Sequence, residues 1–147
     1  MKKCILLSRV STQQQTLEQQ TNELLKFAKN RGYDDKHIIV IEDKESAIKL
    51  DEEHRKGLTK MKEHITNDKT INCVICYEIS RISRQQKVLF SIRDYLKERK
   101  IQLVILKPYM ELLDGKGEIT PTANIVFSLF STLWKSRARL TPEGKRR

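Results

Sequence analysis

Four short apolar segments alternate along this chain with longer segments in which apolar residues recur at helical spacing. The short segments are continuously apolar, a pattern typical of parallel strands that helices cover on both faces. Between them, apolar residues three or four positions apart predict amphipathic helices. The predicted strands are Cys4–Val10, His37–Glu42, Asn72–Glu78 and Ile101–Lys107.

The regular alternation of strands and helices predicts an α/β fold with a mainly parallel sheet flanked by helices. Gly32 follows the first helical segment, where a glycine often ends a helix. Residues 114–119 (DGKGEI) predict a mobile turn. The apolar residues that mark the three helices are Leu17, Leu24, Phe27 and Ala28, then Leu58, Met61 and Ile65, then Val88, Leu89, Ile92 and Leu96.

Residues 120–134 (TPTANIVFSLFSTLW) predict a long final helix that spans about residues 120–140. Thr120 suits an N-cap and Pro121 suits the first turn. Apolar residues lie on several faces of this helix, so it needs cover on two sides. We expect its own domain on one side and a second subunit on the other; complete burial in its own core is the alternative. The residues assigned to this dimer helix are Phe127, Phe130 and Trp134.

Composition adds a strong positive charge to this picture. The 147 residues suit one domain, and 29 Lys and Arg against 19 Asp and Glu give a formal net charge of +10. This excess favours an anionic partner, nucleic acid first. We predict a domain over residues 1–134 and a basic tail over residues 135–147, with no DNA-recognition domain.

Several classes of protein and site are excluded at this level. The chain shows neither a signal peptide nor an apolar stretch of membrane-spanning length, so we expect a cytoplasmic protein with no membrane partner. Cys73 and Cys76 form a C-x-x-C pair without a second pair of ligands, and their odd spacing puts them on opposite faces of a strand. With Cys4, they are expected to be buried thiols in a reducing compartment. We predict no metal and no cofactor.

The stretch RVSTQQQ combines a cation, a hydroxyl and a helix start at the end of the first predicted strand. Thr12 and Gln15 fit a capping box, which explains the presence of Thr12 but leaves Arg9 and Ser11 unexplained. Arg9 and Ser11 lie two residues apart, so their side chains point the same way on a strand. A hydroxyl beside a fixed cation at a helix N-terminus suits a phosphate.

Further charged residues follow the other predicted strands, and ligands gather at the carboxyl ends of strands in open parallel sheets. Arg81 and Arg84 share one face if their turn is helical, and Arg55 precedes the second helix. Arginines bind non-bridging phosphate oxygens and neutralise charge in the transition state, so a serine among arginines suits attack on a phosphodiester. For any one arginine a surface role is the simpler explanation, but not for the whole set. The second strand is followed by Asp43, Glu45 and Ser46.

These motifs together resemble the serine site-specific recombinases, the resolvase/invertase group. SRVST resembles the opening motif of that family, EISRISR its D-R-L-x-R motif, and residues 42–58 its segment from a strand-end acid to an R-x-G-L helix start. TPTANIVFSLFSTL is similar to the start of its long dimerisation helix. The resemblance covers nearly all of residues 1–134 in the right order.

The resemblance implies a resolvase-like catalytic domain of a mobile element or phage in a prokaryotic cell. Such an enzyme recombines double-stranded DNA through a 5′-phosphoserine intermediate, as a homodimer that forms a tetramer on synapsed sites, without nucleotide or metal. Ser11 would be the nucleophile, and Arg9, Arg81 and Arg84 would be the catalytic arginines. The supporting or phosphate-binding residues would be Arg55, Gln15, Gln20, Asp43 and Ser46.

The chain departs from the family pattern at several positions. Leu7 replaces a tyrosine, Ser80 replaces the acid of D-R-L, and Ala138 and Gly144 stand where the family has C-terminal arginines. A catalytically silent relative that dimerises or regulates a recombinase is therefore the alternative. A response-regulator-like or small-ligand module would need an acidic cluster or a glycine loop at the strand ends, and the sequence shows neither.

Overall fold

The computed structural model describes residues 2–10, 14–44, 56–83 and 85–129, and the statements below concern that part of the chain. Strands and helices alternate until a short fifth strand follows the fourth. The elements are β1 (Lys3–Val10), α1 (Gln14–Asn30), β2 (Ile38–Lys44), α2 (Lys56–Asn67), β3 (Ile71–Cys76), α3 (Gln86–Glu98), β4 (Gln102–Leu106), β5 (Tyr109–Glu111) and α4 (121–129), with 3₁₀ turns at Asp35–His37 and Ile79–Arg81.

The strands form one sheet in the order β2-β1-β3-β4-β5. Strands β1 to β4 are parallel, and β5 runs antiparallel to β4. The predicted mainly parallel α/β fold is confirmed. Because β1 lies between β2 and β3, the direction of winding reverses at β1 and β3, which is where α/β sheets open a crevice for ligands.

Strand β5 was absent from the prediction. Its three residues are too few to show a period of two, and Pro108 precedes them. A single buried residue, Met110, carries the inward face of this strand, while Tyr109 is exposed.

The two faces of the sheet have separate cores. The larger core lies between the sheet and helices α2, α3 and α4, and the smaller core lies under α1. Cys76 belongs to the larger core, whereas Cys4 and Cys73 belong to the smaller one, as their spacing predicted. Burial raises the pKa of the Cys4 and Cys73 thiols to about 12, so both stay neutral at physiological pH.

Helix α4 begins as predicted. Thr120 is its N-cap, because the Thr120 hydroxyl accepts a hydrogen bond from the amide of Ala123 at 3.1 Å. Phe127 is 1% exposed and packs in the larger core, where its ring stacks with Phe90 at a centroid distance of 6.4 Å. Phe127 therefore lies on the inward face of α4, the side that was expected to face its own domain. The assignment of this helix to a dimer contact stays a prediction.

The outward face of α4 carries different apolar residues. Ile125 is 58% exposed and Leu129 is 57% exposed, and their spacing of four places them on one side of the helix. Phe130 and Trp134, the other residues assigned to the dimer helix, lie outside the described residues.

The predicted turn between β5 and α4 is present and is closed by hydrogen bonds. The Asp114 carboxylate accepts hydrogen bonds from the amides of Lys116 at 2.8 Å and Glu118 at 3.1 Å. The Asp114 amide in turn donates to the Glu118 carbonyl at 2.8 Å. One short acidic side chain thus organises the whole turn, as Asp commonly does.

Candidate active site

The carboxyl ends of β1, β2 and β3 form one rim of the sheet, called the carboxyl rim below. Leu7 of β1 pairs with Cys76 of β3, and Arg9 pairs with Asp43 of β2. The backbone of Arg9 therefore lies at the same rim as the chain that leaves β3. The 3₁₀ turn that contains Arg81 follows β3 there and contacts β1.

Arg81 is held at the carboxyl rim by its apolar neighbours. Ile79 and Ile82 are 4% and 1% exposed, so they fix the turn to the core. The Arg81 amide donates to the Glu78 carbonyl at 2.9 Å. The Arg81 guanidinium lies 3.0 Å from the Glu78 carboxylate, and its side chain stays partly accessible.

Glu78 was missed by the sequence reasoning, which looked for an acid at Ser80. The spacing of three residues between Glu78 and Arg81 is the sequence signal that points to it, since residues three apart meet within a helical turn. Glu78 thus supplies the carboxylate next to Arg81 that Ser80 lacks.

A second missed feature joins three elements just below the carboxyl rim. The Ser8 hydroxyl of β1 lies 3.2 Å from the Thr21 hydroxyl of α1. Thr21 donates to the Glu42 carboxylate of β2 at 2.8 Å. Ser8 is fully buried and Thr21 is 8% exposed. The sequence signal is a serine inside an otherwise apolar strand, but the identity of its partners required the fold.

Ser83 holds the connection between the 3₁₀ turn that follows β3 and helix α3. It is fully buried, and its hydroxyl accepts a hydrogen bond from the amide of Gln85 at 2.9 Å. This contact leads the chain directly into α3, which begins at Gln86. The turn after β3 is therefore anchored by Ile79 and Ile82 before Ser83 and by α3 after it.

The predicted site residues differ in how far the structure describes them. Gln20 is 4% exposed on α1, and Arg81 is described above. For three others the backbone alone is described: Arg9 in β1, Gln15 in the first turn of α1 and Asp43 in β2. The predicted site residues outside the described ranges are Ser11, Ser46, Arg55 and Arg84.

Another cation lies where β4 ends. The Lys107 ammonium lies 5.1 Å from the centre of the Tyr77 ring, and hydrogen bonding to Tyr77 raises the pKa of Lys107. Among the residues described, no three His, Cys, Asp or Glu side chains are placed to share a metal ion. Over the same ranges, no helix has the length and apolar character needed to cross a membrane. Cations and hydroxyls at a sheet rim suit the binding of phosphate oxygens.

Comparison with known proteins identifies what this fold resembles. The family model described as "Resolvase, N terminal domain" matches residues 4–147. No curated protein matches the chain. The N-terminal catalytic domain of TP901-1 integrase is 21% identical, with a TM-score of 0.65 over 95% of this chain and 99% of that one.

Two further solved structures share the fold. A resolvase family site-specific recombinase from Streptococcus pneumoniae is 20% identical, with a TM-score of 0.67 over 95% of this chain and 92% of that one. A serine recombinase from Sulfolobus solfataricus is 22% identical, with a TM-score of 0.55 over 99% of this chain and 93% of that one. At these identities the likeness to solved structures concerns the fold.

Proposed function

This chain belongs to the resolvase family, and we propose that it is the catalytic domain of a serine site-specific recombinase, acting on double-stranded DNA in the cytoplasm of a prokaryotic cell. The observation that carries the proposal is the position of Arg81. The turn after β3 anchors this arginine at the rim where β1 ends. In the sequence, Ser11 directly follows Val10, the last residue of β1. Attack on a phosphodiester requires a nucleophilic hydroxyl and a cation that stabilises the developing negative charge, and Arg81 is proposed to supply that cation.

In the proposed reaction, the Ser11 hydroxyl loses its proton to solvent as its oxygen attacks the scissile phosphorus and forms a 5′-phosphoserine bond. The bond from phosphorus to the 3′ oxygen breaks, and the 3′ oxygen leaves as a hydroxyl after gaining a proton. Rejoining is the reverse reaction, in which a 3′-hydroxyl of the new partner strand displaces serine. The covalent intermediate conserves the energy of the phosphodiester, so no nucleotide is consumed.

Arginines supply the electrostatic part of this reaction. Arg9, Arg81 and Arg84 are proposed to bind the non-bridging oxygens, where negative charge increases in the transition state. Arg55 is proposed to bind phosphate as well. In the free domain the Arg81 guanidinium lies 3.0 Å from the Glu78 carboxylate. When DNA binds, its phosphate must therefore displace that carboxylate or bind Arg81 together with it.

The outward face of α4 is proposed to pair two copies of the domain. Ile125 and Leu129 present adjacent apolar side chains to solvent, and burying them against a second copy removes that area from water. We expect a homodimer, and a tetramer when two DNA sites synapse. Leu129→Asp should shift the protein toward monomer in sedimentation velocity, whereas Asn124→Asp on exposed α4 surface should not.

A covalent trapping experiment tests the proposed function. The full chain is fused to a sequence-specific DNA-binding module, because the chain does not reveal its DNA target, and is incubated with paired target sites. We expect a protein–DNA adduct whose attachment site maps by mass spectrometry to Ser11. Ser11→Ala should abolish the adduct, and Ser91→Ala, at an exposed serine of α3, should leave it unchanged.

Two results would contradict the proposal. An adduct that forms equally well in Ser11→Ala excludes Ser11 as the nucleophile. If the fusion pairs its sites without cutting, arginines are introduced at Ala138 and Gly144, where the family has them. Continued failure of that variant would favour the alternative of a catalytically silent dimerisation or regulatory module.

A further inference from the structure

Three polar side chains from three different elements meet directly below the carboxyl rim. Ser8 comes from β1, Thr21 from α1 and Glu42 from β2, with distances of 3.2 Å from Ser8 to Thr21 and 2.8 Å from Thr21 to Glu42. Ser8 and Thr21 are buried, while Glu42 reaches solvent. This group is called the hydroxyl relay below.

The direction of the hydroxyl relay follows from counting its protons. Thr21 has one hydroxyl hydrogen, and it donates that hydrogen to Glu42, because an ionised carboxylate can only accept. Ser8 must therefore be the donor to Thr21. The relay runs from Ser8 through Thr21 to Glu42 and ends on a charged acceptor, which strengthens each bond in the chain.

Two residues of the hydroxyl relay flank Ser11 along the chain, Ser8 before it and Thr21 after it. Ser8 precedes Ser11 by three residues, and Thr21 lies about 10 Å along α1 from its first residue at 1.5 Å per residue. In the β1–β2 register, Ser8 pairs with Glu42, and the next pair is Arg9 with Asp43. The relay thus fixes the strand before residues 11–13 and the helix after them.

Hydrogen bonds restrict the rotation of α1 about its axis, which apolar packing alone does not. Leu24 and Ala28 are fully buried and hold the following part of α1 against the sheet. Such contacts tolerate small rotations of a helix about its axis, because they have no required angle. Hydrogen bonds weaken steeply when misaligned, so Thr21 fixes the rotation of the first half of α1, the half that follows Ser11 in the chain.

We propose that Thr21 and Glu42 are positioning residues, which hold β1 and α1 in the arrangement that aims Ser11 at the DNA phosphate. The proposal rests on the proposed function for the role of Ser11, while the anchoring itself concerns this chain alone. The proposal assigns neither residue a contact with DNA; both act through the two chain segments that flank Ser11.

The first test measures anchoring without DNA. Thr21→Val keeps the shape of the side chain and removes both relay bonds, Thr21→Ser restores the hydroxyl, and Thr66→Val changes an exposed threonine of α2 as the matched control. In native-state hydrogen exchange of the full chain, Thr21→Val should speed exchange of amides in residues 8–14 by roughly fivefold or more, the factor that two lost hydrogen bonds at the weak end of their usual range imply. Amides of β3 should change much less, and Thr21→Ser should return the rates to those of the parent.

The second test measures positioning in the fusion protein described above. At saturating protein, Thr21→Val should slow single-turnover adduct formation by about tenfold, as small misplacements of a reacting group do, without changing the concentration that half-saturates the DNA. Thr21→Ser should recover the rate, Glu42→Ala should slow it, and Glu42→Gln, which keeps an acceptor, should slow it less.

The outcomes separate this inference from the proposed function. If the parent forms a Ser11 adduct and Thr21→Val forms it at the same rate, positioning is refuted and the proposed function stands. If the fusion never cuts DNA, the proposed function fails, and the exchange rates still decide whether the hydroxyl relay anchors residues 8–14. If Thr21→Val does not fold, Glu42→Ala gives the decisive exchange and adduct rates, and parental values in both would overturn the inference.

Discussion

The two rims of the sheet use polar residues in different ways. At the amino ends of the strands, called the amino rim here, polar side chains bind one another and the local backbone. The Gln102 side chain alone makes four hydrogen bonds, to Glu111, to the amide of Leu103 and to both the amide and the carbonyl of Leu113. Tyr33 donates to Asn72 at 2.7 Å in the same region.

At the carboxyl rim, cations and hydroxyls accompany the polar contacts. Arg81 faces Glu78 and remains partly accessible, and Lys107 lies over the Tyr77 ring. The hydroxyl relay ends on the solvent-reaching Glu42. The described polar contacts of this rim therefore lead from buried groups to groups that solvent reaches. Those of the amino rim instead join the ends of strands to neighbouring turns.

Under the proposed function, this difference assigns stability to the amino rim and chemistry to the carboxyl rim. Residues that close turns at the amino rim satisfy backbone groups that would otherwise be exposed or unpaired. Residues at the carboxyl rim are anchored by neighbours such as Ile79 and Ile82 and keep accessible charge. Substitutions at the amino rim should therefore lower the free energy of unfolding, and substitutions at the carboxyl rim should lower the rate of DNA cleavage.

The largest expected effect is on the rate of adduct formation, which should depend on Arg81 at the carboxyl rim and not on Arg99 near the amino rim. Arg81→Ala should lower the rate of Ser11 adduct formation in the fusion by about 10²- to 10³-fold, the loss typical of one transition-state donor. Arg81→Lys should recover part of the rate, because it keeps the charge and loses the bidentate geometry. Thermal denaturation of both variants should remain close to that of the parent.

The matched arginine is Arg99, near the amino rim. Its guanidinium lies 3.7 Å from the centre of the Tyr95 ring and donates to the Tyr95 carbonyl at 3.0 Å. Arg99→Ala should lower the melting temperature slightly and leave adduct formation unchanged. Equal loss of adduct in Arg81→Ala and Arg99→Ala would refute the division between the rims.

The next effect concerns stability. Gln102→Ala removes four hydrogen bonds and leaves the amide and carbonyl of buried Leu113 without that partner, so the free energy of unfolding should fall by about 2–3 kcal/mol. Urea denaturation measures this loss. Adduct formation by the folded variant should match the parent, and a large drop in that rate would show that the rims are coupled.

The sequence was sufficient for the features that depend on local pattern. Continuous apolar runs located all four parallel strands, and helical spacing located α1, α2 and α3 within a few residues. The N-cap at Thr120 was found because capping depends on neighbours in the chain. Strand β5 was missed because three residues carry no measurable period.

Features that depend on tertiary partners could not be predicted. Ser8 is visible as a hydroxyl in an apolar strand, but Thr21 and Glu42 become its partners only through the β1–β2 register and the position of α1. For α4, the apolar pattern predicted that two sides of the helix are covered. It did not show which residues face the sheet and which face away from it. Phe127 proved to face inward, and Ile125 proved to face solvent.

Alkaline pH should weaken the fold through the thiols near the amino rim. The pKa of Cys4 and Cys73 is raised from 9.0 to about 12 by burial, so the folded state holds both protons more tightly than the unfolded state. This stability is fully present below pH 9 and is lost as pH rises toward 12. Between pH 8 and pH 10 we expect the two thiols together to lower the free energy of unfolding by about 2–3 kcal/mol in urea denaturation.

The control for this prediction is a variant with both thiols removed, Cys4→Ala combined with Cys73→Ala. It should be less stable at pH 7 because it leaves cavities, but its stability should depend less on pH between 8 and 10. Tyr33, whose pKa burial raises to about 12, contributes the dependence that remains. An unchanged slope in the double variant would assign the alkaline loss to other groups.

The smallest expected effect comes from an ion pair at the amino rim. Lys3 of β1 binds Asp68 at 2.8 Å, and Thr70 donates to the same carboxylate from its amide and its hydroxyl. These bonds, that from Lys3 first, lower the pKa of Asp68 below its ordinary value of 3.8. The contribution to stability is therefore present above pH 4 and is lost as pH falls through the lower pKa of the folded state.

Asp68→Asn tests that ion pair and leaves the turn intact, because the amide oxygen can still accept from Thr70. At pH 7 the variant should melt slightly below the parent, by less than Gln102→Ala does, and added salt should narrow the gap because the pair is near the surface. The gap should narrow as pH falls below 4 and close once the pH passes the lowered pKa of Asp68 in the folded parent, where the parent also loses the carboxylate charge. Asp35→Asn, which removes the more exposed pair with Lys29, is the matched control and should not change the melting temperature. A gap that persists at low pH and high salt would mean that the turn, rather than the charge, carries the contribution of Asp68 to the amino rim.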